Sequence, residues 1–125
     1  MKTCLLIGIG GAAGAILRYL LGMLPLSGDF PLATFLTNLL GAIAIGLVIG
    51  VSERFPQLPR ELVLFLKTGF CGGFTTFSTF SLETLTLLEG GQAVLGSLYA
   101  VLSVLSCVFG VFLGRLLAVS LSPTI

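Results

Sequence analysis

The residues of this chain most able to do chemistry sit in one stretch, Gly69-Phe70-Cys71-Gly72-Gly73-Phe74-Thr75-Thr76-Phe77-Ser78-Thr79-Phe80-Ser81-Leu82-Glu83. It holds too much glycine, threonine and serine for an uninterrupted helix. Each glycine of the Gly72-Gly73 pair costs roughly 1 kcal/mol of helix propensity relative to alanine, and the β-branched pair Thr75-Thr76 follows closely. A break predicted here frees backbone carbonyls, which an apolar surrounding tolerates only where they line a cavity or hold an ion. Past the break, Phe77 and Phe80 are three apart and share a helix face, with Ser78 and Ser81 as an adjacent pair of hydroxyls. An aromatic ring is positive at its edge and negative on its face. Phenyl edges interleaved with hydroxyl donors suit a small anion and no cation. Paired phenylalanines in general are core packing; the glycine break and the hydroxyls favour the anion here.

Two other polar sets stand out. Asn38 shares a helical face with Thr34, Gly41 and Ala42. It suits either an interhelical hydrogen bond or contact with a solute. Gly96, Tyr99, Ser103, Ser106 and Gly110 recur at steps of three and four, forming a hydroxyl-and-glycine stripe that fits either close helix packing or a polar path.

The elements that must position these residues follow from composition. Of 125 residues, 56% are hydrophobic and 9% are charged, with six basic and five acidic side chains and no histidine. A soluble domain usually has about a quarter of its residues charged, so this chain is predicted to live in lipid. A net charge of +1 also leaves no basic footprint for nucleic acid. The uncharged runs 30–52 and 90–114 each exceed the roughly 20 residues that a helix needs to cross a bilayer. Thr3 to Leu26 contains only Arg18, and Leu62 to Leu88 only Lys67 and Glu83. Backbone polar groups must pair internally in lipid, and no segment alternates as a barrel strand would. The expectation is an all-α integral membrane protein with four transmembrane helices, the third broken, at roughly 3–25, 31–52, 62–88 and 92–117, forming a single domain over 1–125. Proline, glycine and serine at 25–31, Pro56 and Pro59, and Gly90-Gly91 close the loops.

Several motifs mislead. Gly8, Gly10 and Ala13 fit a dinucleotide-binding fingerprint, but no parallel sheet follows. Gly10 and Gly14, extended by Gly22, read better as a small-residue face for helix packing. Lys2 before an apolar run resembles a signal peptide, yet Arg18 and the absence of a soluble mature domain argue for a span. Cys4, Cys71 and Cys107 fall inside spans, without metal-binding spacing, and read as packing residues. No nucleophile–base set or paired carboxylates support an enzyme.

The stretch 69–83 resembles the signature of the Fluc (CrcB) fluoride channel family. Gly10-Gly11-Ala12-Ala13-Gly14-Ala15-Ile16-Leu17-Arg18-Tyr19 is similar to that family's first-helix motif, and Thr34-Phe35-Leu36-Thr37-Asn38-Leu39-Leu40-Gly41 to its second. The resemblance implies an antiparallel, dual-topology homodimer in a prokaryotic inner or plasma membrane, with two fluoride pores and passive export. By it, Asn38 is the pore asparagine, and Phe77 and Phe80 from opposite subunits present ring edges to the ion. Ser78, Thr79, Ser81, Tyr99 and Ser103 fall along the anion path, and Arg18 near an aqueous vestibule. Gly72 and Thr75 would lend carbonyls to a structural sodium ion. Fluoride, lipid and a second copy of the chain are the implied partners.

One pattern disagrees. Lys2, Arg54, Arg60, Lys67 and Arg115 fall on the side of the termini, against Arg18 alone nearer the other. The positive-inside rule then favours cytoplasmic termini, whereas dual insertion expects little bias. A small multidrug exporter would share the size and topology, but needs a first-helix carboxylate; Glu83 is the only candidate in a span. A non-transporting membrane scaffold is the other rival, distinguished by the absence of fluoride flux.

Overall fold

The computed structural model describes residues 1–121. Helix α1 spans Lys2–Gly22 and α2 spans Leu32–Arg54. Helix α3 starts as an α-helix at Arg60–Leu64, passes through a π-helical stretch at Phe65–Cys71 and ends on the turn Gly72–Phe74. Helix α4 covers Phe77–Glu89 and α5 covers Ala93–Ser120. There is no strand among the described residues, so the glycines of α1 do not belong to a dinucleotide-binding turn. Helices α1, α2 and α5 are long and apolar enough to cross a membrane. The remaining apolar stretch is split between α3 and α4.

Glycine sets the packing. Helix α1 crosses α3 so closely that a Cβ on Gly14 would collide with the backbone of Phe70 and Phe74, and one on Gly73 with the backbone of Gly11. Gly10 and Gly69 face each other in the same crossing. Gly22 does not extend this face, since open space surrounds it; the helix stops there, where Met23 and Leu24 turn their amides onto Leu20 and Leu21. Helices α2 and α5 make the most extensive pairing, with Gly46 against Val111, Gly114 against Ile43 and Gly50 against Ala118. Helix α4 leans on α5, where Gly96 admits Leu87 and Leu88.

The exterior is inside-out relative to a soluble protein. Few large side chains are buried, and Leu105, Val108, Phe109 and Phe112 are mostly exposed along α5. An apolar patch of this extent marks a surface meant for lipid or protein. Charges gather at the ends. Arg115 pairs with Glu53 at 2.6 Å, and Arg54 donates to the Val119 carbonyl at 2.6 Å, a cation at the negative end of α5.

Candidate functional site

The interruption lies at the threonines and not at the glycines. Gly72 is helical, with φ −64° and ψ −38°, whereas Thr75 (φ −81°, ψ 158°) and Thr76 (φ −150°, ψ 114°) are extended. Glycine costs helix stability, but at Gly73 its missing side chain is what admits α1. The β-branched threonines instead take the extended conformation that suits them. Thr76 then caps α4, its Oγ1 accepting from the Thr79 amide at 3.2 Å.

Asn38 bridges the gap. Its Nδ2 donates to the Thr76 carbonyl at 3.1 Å, and its Oδ1 accepts from the Thr76 amide at 2.8 Å. The amide that would ordinarily close on the Gly72 carbonyl, that of Thr76, is thus diverted to a side chain. The Thr79 amide is likewise diverted from Thr75 to the cap. Gly73 is treated differently, since Arg18 Nε donates to its carbonyl at 3.2 Å, a cation at the negative end of a half-helix.

A groove of about 390 Å³ opens at this break, lined by Asn38, Gly72, Thr75, Phe77, Phe80 and Ser103 among others. Phe77 is 77% exposed and Phe80 only 9%, with ring centroids 5.4 Å apart. Phe80 continues onto Tyr99 at 5.3 Å, which meets Phe30 edge-on at 5.3 Å. Ser103 is 5% exposed, and its Oγ lacks a hydrogen-bond partner among the described residues. A buried hydroxyl without a partner is costly, and this one lies on the groove wall. Ser78 and Ser81 are exposed on α4; Ser81 donates to the Phe77 carbonyl at 2.8 Å. Thr79 Oγ1 accepts from Thr76 Oγ1 at 3.0 Å.

Tyr99 is fully buried and turned away from the groove lining, toward Glu83. Its hydroxyl donates to Glu83 Oε2 at 2.7 Å, while Thr34 Oγ1 donates to Oε1 at 2.8 Å. Both carboxylate oxygens are therefore occupied, which ties α2, α4 and α5 together through one side chain.

Residues 5–115 match the family described as CrcB-like protein, Camphor Resistance (CrcB). The chain belongs to the CrcB-like family. Among its relatives, the protein named fluoride-specific ion channel FluC of Methanococcus maripaludis is 48% identical over 93% of this chain and 95% of its own length. Its namesake in Ruminiclostridium cellulolyticum is 47% identical over 94% and 93%. That of Pyrococcus abyssi is 44% identical over 94% and 97%.

In this CrcB-like protein the structure brings Asn38, Phe77, Phe80 and Ser103 to one groove together with Gly72 and Thr75. Tyr99 joins them only through its ring contact with Phe80. Sequence reasoning named Thr76 only as half of the β-branched pair at the break, and missed that its amide, carbonyl and hydroxyl are all engaged there. Its signal was present: a threonine three residues before Thr79, at the head of a helical run, is an N-cap pattern. The Thr34–Glu83–Tyr99 contact had only the weaker hint that each residue is polar within an apolar span.

Proposed function

We propose that this CrcB-like protein is a passive, fluoride-selective channel that exports cytoplasmic fluoride across a prokaryotic inner or plasma membrane and so confers fluoride resistance. The observation that carries the reading is the groove at the broken helix, where neutral donors and phenyl rings gather around Asn38 and Ser103. Relatives matching nearly the whole chain and named fluoride-specific ion channels support it.

Fluoride is small and strongly hydrated, so a pore must replace its water with donors. The second Asn38 amide proton, the Ser103 hydroxyl and the Phe77 and Phe80 ring edges supply them without a full positive charge. Ser78, Thr79 and Ser81 add hydroxyls along α4, and Tyr99 backs the Phe80 ring. A fixed cation in contact with the ion would hold it too tightly to conduct. The working unit in this reading is one four-span domain, with α3 and α4 as the broken third span, paired with an antiparallel second copy to make two pores. Phe77 supports the pairing, because a ring exposed to 77% beside an open groove fits a pore completed by another subunit. Arg18 retains guanidinium donors beyond its Nε for a vestibule role.

A structural sodium ion fits the donor set. Carbonyl oxygens are hard ligands suited to such a cation, and Gly72 and Thr75 are the residues whose ordinary amide donors are diverted elsewhere. If bound, the ion would be held by the Gly72 and Thr75 carbonyls and would supply positive charge at the carbonyl end of α3. The test of the function is efflux from liposomes containing the purified protein. Fluoride should leave rapidly while chloride is retained; no fluoride permeability would favour a non-transporting scaffold.

A further inference from the structure

Three charged side chains fall well inside the apolar stretches: Arg18, Lys67 and Glu83. Two are engaged. Arg18 Nε donates to the Gly73 carbonyl, and Glu83 accepts from Thr34 and Tyr99. Lys67 has no hydrogen bond or ion pair among the described residues, and it is exposed on α3 beside the equally exposed Thr68. An ammonium at membrane depth is costly without a counter-charge, so it must meet water, a lipid headgroup or a solute anion.

Its setting favours the anion. Lys67 lies in the π-helical stretch Phe65–Cys71, and such distortions concentrate at functional sites. Hydrogen bonds there span five residues, so the face carrying Lys67 comes round again at Cys71 and Gly72, both of which line the groove. Counting from Arg60, where α3 begins, Lys67 stands about 10 Å along the helix. That is deeper than the charges ending the spans, and one turn short of the groove.

We propose that Lys67 is an anion-collecting residue at the mouth of the groove, drawing small inorganic anions toward the pore. The inference rests on the channel reading. It is compatible with a pore of neutral donors, because a charge one turn outside raises the local anion concentration without touching the ion at its binding site.

The test measures fluoride current through purified protein in bilayers at low fluoride, with gluconate salts setting the ionic strength. At low salt, K67Q should carry about two- to threefold less current than wild type, the effect of one unit charge acting across several ångströms of water. K67R should match wild type. The deficit should vanish at ~1 M salt, where the screening length falls to about 3 Å. An unchanged K67Q current at low salt would overturn the proposal and assign Lys67 to lipid headgroups. A deficit equal at both salt concentrations would also overturn it. Wild type gives a check that requires no variant to fold: its current at low fluoride should decline as salt rises, and indifference to salt sinks the idea. Absence of any wild-type fluoride current would instead refute the channel reading itself.

Discussion

Asn38 and Thr76, 38 positions apart in sequence, exchange two hydrogen bonds, one at 3.1 Å and one at 2.8 Å. The side-chain amide of α2 thus serves the backbone of an interrupted helix in place of its next turn. Asn38→Ala would strand both the amide and the carbonyl of Thr76. An unsatisfied buried group costs about 1–3 kcal/mol, so the melting temperature in detergent should fall clearly. Fluoride efflux from liposomes should be lost as the break relaxes; a variant that both melts and conducts like wild type would remove Asn38 from the site.

Phe77 and Phe80 lie within 5.4 Å of each other on the groove wall, one exposed and one buried. Isoleucine keeps the apolar bulk but has no ring edge to present to an anion. Phe77→Ile and Phe80→Ile should each abolish fluoride flux while gel filtration gives the same elution volume as wild type. Unchanged efflux in either variant would exclude that ring from the pore.

The crossing of α1 and α3 makes a sharp contrast among glycines. A methyl group at Gly14 or Gly73 would meet backbone, which has no room to yield, whereas one at Gly22 meets open space. Gly14→Ala and Gly73→Ala should each destabilise by about 1–3 kcal/mol or more. Gly22→Ala should be neutral or gain up to about 1 kcal/mol from helix propensity. Thermal unfolding of the three variants in one detergent compares them directly.

The basic residues Lys2, Arg54, Arg60, Lys67 and Arg115 set up a test of topology. Arg54 and Arg115 are held at α5 and Glu53 in the fold, but insertion reads the chain before these contacts form. An antiparallel homodimer requires both orientations in the membrane, so cysteines placed at either terminus should label from both faces of intact cells. Labelling from one face only would contradict the antiparallel dimer.

The apolar runs and the scarcity of charge identified a helical membrane protein without recourse to coordinates, because lipid imposes helix on any chain that cannot alternate its side chains. The stretch 69–83 likewise announced an interruption through its composition. Composition offered two adjacent weak points, Gly72-Gly73 and Thr75-Thr76. The glycines stay helical, Gly73 packed against Gly11 of α1, and the break falls at the threonines. Gly22 looked equivalent to Gly14 by spacing and differs only because no helix lies opposite it. Residue types and local spacing thus determined the environment, the helices and the donors available for an anion. The tertiary structure alone decided which donors remain free, because pairings such as Asn38 with Thr76, Arg18 with Gly73 and Glu83 with Tyr99 join residues from different helices, and such distances are set by packing, not by sequence separation.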